Sequence, residues 1–130
     1  MKVYPIEIEG IDKTGKNLLV SYINHLSEYK YVIHDRGILS CMVYAEKYNR
    51  NYNYDLQYKP IIIYLTADKA DWQIRCKVTR ETESDYDVDK ALFNKYKKIL
   101  EDKGIIIIEY NTSIMTPYQI AKDFIERNLL

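Results

Sequence analysis

Cysteine and histidine are scarce in this chain of 130 residues. It holds two of each, and the cysteines, Cys41 and Cys76, do not form a Cys-x-x-Cys pair. Zinc sites and disulfide-rich secreted scaffolds need more of these side chains at tighter spacing. The sequence therefore argues against a zinc site and excludes a disulfide scaffold, and we expect two reduced thiols.

Net charge and long apolar runs are also missing. The 19 basic and 19 acidic residues balance, whereas a protein that binds duplex nucleic acid concentrates basic residues on one face. A small phosphate ligand needs only one loop and a few cations. No apolar run approaches the ~18 residues that cross a bilayer, and Lys2, Glu7 and Glu9 interrupt the first segment. We expect a soluble, cytoplasmic protein with no membrane or duplex nucleic-acid partner.

The stretch GIDKTGKN, residues 10–17, is the most informative part of the chain. It satisfies the core of the phosphate-binding loop, G-x-x-x-x-G-K-[ST], except that Asn17 stands where a hydroxyl normally contacts Mg²⁺. Backbone N–H groups of such a loop wrap phosphates, and a Lys adds a point charge. The carbonyl oxygen of Asn17 could still face Mg²⁺. The predicted phosphate-binding residues are Gly10, Ile11, Lys13, Thr14, Gly15, Lys16 and Asn17.

Apolar periodicity predicts the order β-α-β-α-β-α-α-β-α. Such alternation is typical of an α/β fold whose parallel sheet is covered by helices and binds ligands at the carboxyl ends of its strands. Thr116-Pro117 is predicted to open the last helix, Gly104 to end the one before the last strand, and Asp87 or Asp89 to cap that helix. The predicted strands are 3–9, 31–34, 61–65 and 105–110, and the predicted helices are 15–28, 38–48, 68–79, 87–103 and a last one from 116.

Helical spacing also predicts which faces are buried. The first helix should bury an apolar stripe, and the third should bury residues spaced four apart. The residues concerned are Leu18, Leu19, Tyr22, Ile23 and Leu26 in the first helix and Ala70, Ile74 and Val78 in the third.

Two motifs resemble one known family. Residues 8–16, IEGIDKTGK, resemble the EGxDxxGK[ST] loop of thymidylate kinases and related deoxynucleotide kinases. Residues 34–44, HDRGILSCMVY, resemble the DR[YF]xxSxxAYQ stretch of that family. A more diffuse likeness joins residues 63–65 and two downstream arginines to the family's YLD strand and lid. The matching residues of the second and third landmarks are Asp35, Arg36, Ser40, Tyr44, Arg75 and Arg80.

The resemblance implies a fold and an activity. The fold would be a three-layer P-loop NTPase-like α/β domain over residues 1–130, with a small, mostly parallel sheet of about four strands. The activity would be transfer of the γ-phosphoryl group of ATP, bound with Mg²⁺, to a deoxynucleotide or nucleoside-type acceptor. A homodimer is also implied.

The resemblance assigns each site residue a role by its matching position. Phosphoryl transfer depends on positioning and on cations around the moving group, and Arg suits bidentate phosphate contacts. Lys16 would hold the donor phosphates, Asp12 would lie near the acceptor and metal, and Arg36 would clamp the acceptor phosphate. Asp35 would serve the metal or position the acceptor, Ser40 and Tyr44 would contact the acceptor, and Arg75 and Arg80 would be lid cations. Asn17, by the chemistry of its carbonyl oxygen, is the other candidate metal ligand.

Several departures from the family pattern keep alternatives open. Only residues 27–30 separate the first helix from the second strand, where the family places an insert that holds the acceptor. Gly37, Ala45 and Thr66 replace an aromatic, a glutamine and an aspartate. A catalytically weak or inactive relative that binds a nucleotide or phosphate as a sensor or interaction module fits as well. An unrelated α/β interaction protein with a fortuitous loop is the third reading, in which Asp35-Arg36 is a helix-start ion pair and Tyr44 is core.

Overall fold

The computed structural model describes residues 4–11, 16–53, 58–78 and 86–128. Within these residues strands and helices follow the order predicted from the sequence. The elements are β1 (Tyr4–Gly10), α1 (Lys16–Leu26), β2 (Tyr31–Asp35), α2 (Ile38–Lys47), β3 (Ile61–Thr66), α3 (Lys69–Val78), α4 (Tyr86–Asp102), β4 (Ile107–Asn111) and α5 (Pro117–Asn128).

The four strands form one sheet in the order β2-β1-β3-β4, and every pair is parallel. The register places Ile8 of β1 beside Asp35 of β2, and Gly10 beside Leu65 of β3. The carboxyl ends of all four strands therefore meet at one edge. The prediction of an α/β fold with a small parallel sheet flanked by helices is confirmed.

Helices cover both faces of the sheet, because β3 presents apolar side chains alternately to each side and β1 presents its apolar side chains to one of them. On one face, Ile6, Ile8 and Leu65 pack with α1 and α5, where Phe124 is fully buried. On the other face, β3 packs against α2, α3 and α4. That second core contains Leu39, Val43, Ile62, Tyr64, Trp72, Phe93 and Leu100.

The predicted buried face of α3 is wrong. Ala70 is exposed, and so are Ile74, at 59%, and Val78, at 77%. The helix carries a second stripe with the same four-residue spacing on its opposite side, Trp72 and Cys76, and this stripe is buried. The indole of Trp72 lies 5.2 Å from the ring of Tyr86. Burying a Trp removes more apolar area from water than burying Ile and Val tips, which decides the orientation.

Two smaller expectations are also corrected. Leu18 is 51% exposed, because the buried stripe of α1 is centred on Leu19 and Ile23. Asp87 and Asp89 lie inside the first turn of α4 and do not precede it. Asp89 is instead buried and forms an ion pair with Lys47 of α2, with 2.6 Å between the charged atoms. This ion pair joins α4 to α2.

The predicted helix signals at residues 104 and 116 are confirmed. Gly104 has φ +86° and closes α4, with its N–H donating to Glu101 and the N–H of Ile105 to Leu100, as in a Schellman motif. Thr116 and Gln119 exchange hydrogen bonds as a capping box around Pro117. Among the described residues, no helix combines the length and apolar character needed to span a membrane.

Candidate functional site

Helix α2 begins beside the carboxyl end of β1, and its first N–H groups are satisfied from that strand. Its N-cap is Gly37, which has no side chain to offer. The N–H groups of Gly37 and Ser40 donate to Glu9 at 3.1 and 2.8 Å, and that of Ile38 donates to Glu7 at 2.8 Å. Two buried carboxylates of a neighbouring strand thus replace the usual Ser, Thr, Asp or Asn cap.

The alternation of β1 explains why these carboxylates point at α2. Ile6 and Ile8 face α1 and α5, so Glu7 and Glu9 face the opposite side, where they are 4% and 0% exposed. The partial positive charge of a helix N-terminus stabilises carboxylates placed there. A Cβ on Gly37 would come closer than 3.0 Å to the Glu7 carboxylate. A side chain at position 37 would therefore displace the Glu7 carboxylate.

The environment of Glu9 opposes its ionisation. Burial, followed by smaller effects that include the charge of Glu7, raises the pKa of the Glu9 carboxyl above its ordinary value of 4.5. Hydrogen bonds from Ser40 and Gly37 act in the other direction, and the Ser40 hydroxyl makes a short contact with Glu9. Tyr58 donates to Glu7 at 2.8 Å, and burial followed by this bond raises the pKa of Tyr58 to about 12.

Arg36 connects the start of the phosphate-loop stretch to α2. Its guanidinium donates to the carbonyl of Gly10 at 3.1 Å, to the Ser40 hydroxyl at 3.1 Å and to the Tyr44 hydroxyl at 3.4 Å. Its backbone N–H donates to Ile8 at 2.9 Å, and its φ is +69°. A left-handed conformation costs a non-glycine residue about 1 kcal/mol or more, and such strain concentrates at functional sites.

A cavity of about 440 Å³ opens beside Arg36 along α2. Its volume lies within the range of small-molecule sites. Among the described residues, two guanidiniums and two tyrosine rings contribute to its wall and no acidic residue does, so this part of the wall favours an anionic ligand with a planar group. The lining residues are Arg36, Gly37, Ser40, Cys41, Tyr44, Ala45, Arg50, Asn51 and Tyr52.

The structure brings several predicted site residues together. Gly10, Arg36, Ser40 and Tyr44 form one connected group, as described above. Ser40 is 3% exposed, and its hydroxyl contacts both Glu9 and Arg36. It lines the cavity and also positions Arg36, and its contact with an acceptor stays a prediction.

The described part of the predicted phosphate loop lies at the same edge. Lys16 is the first residue of α1, half-buried, and its ammonium donates to the carbonyl of Ile11 at 3.3 Å. Asn17 follows and is exposed. The remaining predicted loop residues, Asp12, Lys13, Thr14 and Gly15, and the predicted lid residue Arg80, lie outside the described residues.

Arg75 lies at the far side of the sheet edge from Arg36. It extends from α3 to Thr112, just after β4, and donates to the Thr112 hydroxyl at 3.0 Å and to its carbonyl at 3.3 Å. Strands β1 and β3 separate β2, which leads to Arg36, from β4. A role for Arg75 as a lid cation stays a prediction.

The metal prediction is limited by the available donors. Asn17 and Asp35 are both exposed at the carboxyl edge of the sheet, and they offer one amide oxygen and one carboxylate. Across the described ranges, no group of three or more His, Cys, Asp or Glu could hold a metal ion. Mg²⁺ commonly combines one or two protein ligands with substrate phosphates. Asn17 and Asp35 therefore fit Mg²⁺ only if phosphates of a bound nucleotide supply the other metal ligands.

Sequence reasoning missed Glu7 and the segment Arg50–Tyr52. A signal for Glu7 exists, because a helix that starts at Gly37 has no side-chain cap and must find acceptors elsewhere. Residues 50–58, RNYNYDLQY, are polar and aromatic without a clear period, which predicts a loop, and Arg50–Tyr52 have no regular structure. Their place in the cavity wall depends on how the chain turns after α2, which no local pattern specifies.

The raised pKa of Glu9 predicts a pH effect on stability. A carboxyl with a raised folded-state pKa binds its proton more tightly in the folded chain. Its contribution to the free energy of unfolding is therefore full below about pH 4.5 and falls as pH rises through the folded-state pKa. Urea unfolding of the native chain and of Glu9→Gln, from about pH 4 to about pH 8, should show the native chain losing stability relative to the variant. A constant difference, or a relative gain by the native chain, would contradict this.

Comparison with known proteins finds a similar protein both by sequence and by structure. No family model matches the chain. It is 28% identical over 137 residues to the SPβ prophage-derived uncharacterized protein YorR of Bacillus subtilis (strain 168), covering 94% of this chain and 82% of that protein. A crystal structure of YorR protein from Bacillus subtilis in complex with phosphorylated GDP superposes with a TM-score of 0.75 at 18% identity, covering 95% of this chain and 94% of the other. The chain is thus similar to YorR in fold.

Proposed function

We propose that this protein is a small P-loop nucleotide kinase-like protein, which transfers the γ-phosphoryl group of ATP to a deoxynucleotide or nucleoside-type acceptor. The position of Arg36 is the observation that carries the proposal. One guanidinium contacts the carbonyl of Gly10, where the phosphate-loop stretch starts, and also lines the cavity beside α2. A donor bound at the loop and an acceptor bound in the cavity would meet at Arg36.

The reaction needs little from the protein beyond position and charge. The bond between the β,γ-bridging oxygen and the γ-phosphorus breaks, a bond from an acceptor oxygen to that phosphorus forms, and ADP leaves. Lys16 and Arg36 approach this region from α1 and from the β2–α2 connection, and their charges would stabilise the equatorial oxygens. Bound Mg²⁺ would neutralise donor phosphates, with Asn17 and Asp35 as the candidate protein ligands.

The comparison supports nucleotide binding and widens the choice of ligands. YorR, whose fold this chain shares, was crystallised in complex with phosphorylated GDP. Guanine nucleotides therefore belong in any acceptor panel beside thymidine and adenine nucleotides. Thymine specificity does not follow from the resemblance of the loop, because the insert that holds the acceptor in that family is missing here.

Removing Lys16 should sharply lower the rate of phosphoryl transfer. With ATP, Mg²⁺ and a panel of nucleosides and nucleoside monophosphates, the native chain should release ADP in proportion to phosphorylated acceptor. Lys16→Ala should lower that rate by about 100-fold or more, as expected for loss of one transition-state cation. Lys98→Ala is the matched control, because Lys98 is an exposed lysine on α4, and its rate should equal that of the native chain.

The alternative is a relative that binds a nucleotide without turning it over, which the exposed Asn17 at the metal-ligand position favours. If the native chain turned over no faster than Lys16→Ala but bound ATP in calorimetry, the kinase proposal would be overturned and this alternative supported. Absence of binding of ATP, ADP and nucleoside monophosphates would contradict both.

A further inference from the structure

The chain turns back on itself directly after α2. Asn49 has a φ of +54°. Its N–H donates to the carbonyl of Glu46 at 3.2 Å, and the N–H of Arg50 donates to the carbonyl of Ala45 at 2.6 Å. These two bonds and the left-handed residue form a Schellman motif, which ends a helix and reverses the chain. The turn sends Arg50–Tyr52 back along the helix it has just left.

A second contact fixes the direction of this segment. The side chains of Tyr52 and Cys41 interact, and each affects the pKa of the other, whereas the backbone N–H of Arg50 is bonded to the carbonyl of Ala45. The segment therefore passes the Ala45 level of α2 first and the Cys41 level next. The cavity lies between this segment and α2 and extends from Gly37 to Ala45. The eight steps from residue 37 to residue 45, at ~1.5 Å of rise each, give it a length of about 12 Å, which suits a nucleoside monophosphate.

The two ends of this groove differ in what they can recognise. Arg36, at the Gly37 end, contacts the Gly10 carbonyl, so the phosphate of an acceptor belongs there. Arg50, at the Ala45 end, is exposed, with its guanidinium 5.4 Å from the centre of the Tyr48 ring. Tyr44 and Tyr52 line the same cavity as the two arginines. Because Arg36 is assigned to the phosphate, the second guanidinium is available to meet a base.

We propose that Arg50–Tyr52 is the base-recognition wall of the acceptor site and that it selects guanine nucleotides. The proposal rests on the proposed function, since it places the acceptor in this cavity. A guanidinium donates two parallel hydrogen bonds to O6 and N7 of guanine. Adenine presents an amino donor at the position of O6, and thymine offers one acceptor, O4. The Tyr52 ring supplies a stacking surface that serves any base.

Calorimetric titration with dGMP, dAMP and dTMP tests the selection directly. The native chain should bind dGMP about tenfold or more tightly than dAMP, as one bidentate pair provides. Arg50→Ala should bring this ratio close to one by weakening dGMP alone. Arg50→Lys should remain near the Arg50→Ala result, because an ammonium cannot make the paired contact. Tyr52→Ala should weaken all three nucleotides by about tenfold, whereas Tyr52→Phe should keep the stacking contribution.

The matched control is Arg127→Ala. Arg127 is an exposed arginine on α5, which packs on the opposite face of the sheet, so its loss changes net charge equally and should leave all three affinities unchanged. Equal affinities for dGMP and dAMP in the native chain would overturn the selection. If Arg50→Ala lost the same affinity for all three nucleotides, Arg50 would act only as a general positive charge. This result would also overturn the selection of guanine. ATP-dependent turnover with no base preference would leave the proposed function standing alone, whereas absence of nucleotide binding would overturn both.

Discussion

Gly10→Ala should be the most destabilising single substitution at the sheet edge, lowering the free energy of unfolding by about 4 kcal/mol or more. Gly10 has φ +139°, a conformation that L side chains rarely adopt, and an added Cβ would lie closer than 3.0 Å to the carbonyl oxygen of Leu65. That oxygen is backbone of the adjacent strand β3 and cannot rotate away. Strand β1 must therefore separate from β3 or the loop must change path. Urea unfolding followed by circular dichroism measures the loss.

Gly104→Ala provides the matched comparison. Gly104 also has positive φ, +86°, but the nearest atom to an added Cβ is the flexible Lys59 ammonium at 3.6 Å. Gly104→Ala therefore places a side chain at positive φ without a steric clash. It should lower the free energy of unfolding by about 1–2 kcal/mol. If the two variants lost equal stability, the contact with Leu65 would contribute nothing and the cause assigned to Gly10 would be wrong.

The fold could be predicted from the sequence where the hydrophobic pattern agrees with the residues that begin and end helices and strands. The solid apolar run of residues 61–65 indicates a covered strand, and β3 is buried on both faces. Gly104 and Thr116-Pro117 mark helix ends through local backbone chemistry, and both signals hold. Helix α3 shows the limit, because two stripes of equal spacing compete. The larger apolar area of Trp72, which is buried against Tyr86 and the rest of the second core, selects between them.

The candidate site was predictable only in part, for a physical reason. The loop stretch and Asp35-Arg36 are local motifs, and the parallel alternation places both at the carboxyl edge. Glu7 and Glu9 act on α2 across a separation of 28 to 31 residues. Alternation in β1 resembles that of a strand with one wet face, whereas the structure buries both carboxylates against a helix start. A tertiary partner of this kind leaves no periodic trace in the sequence.

The buried carboxylates and the cavity are parts of one arrangement. Glu9 contacts Ser40, Ser40 contacts Arg36, and Arg36 contacts both Gly10 and Tyr44. The start of α2 is therefore held on β1 by the same residues that orient the Arg36 guanidinium. A change at Glu9 should affect the stability of α2 and the position of Arg36 together.

Glu9→Ala should lower the free energy of unfolding by about 3 kcal/mol and weaken nucleotide binding. It removes the acceptor for the N–H groups of Gly37 and Ser40 and the partner of the Ser40 hydroxyl. Each buried donor left unsatisfied costs about 1–3 kcal/mol. Relief of a buried charge, whose presence the raised pKa marks as unfavourable, offsets part of the total. Urea unfolding and calorimetry with dGMP measure the two effects.

Glu9→Gln separates the hydrogen bonds from the charge. The amide oxygen can accept from both N–H groups, and the amide nitrogen can donate to the Ser40 hydroxyl oxygen. Because the shape is kept and the buried charge is removed, Glu9→Gln should remain within about 1 kcal/mol of the native chain at neutral pH, and it should bind dGMP as the native chain does. If Glu9→Gln were as unstable as Glu9→Ala, the negative charge at the helix N-terminus would be the stabilising feature. The hydrogen-bonded cap would then be the wrong explanation for how β1 holds α2.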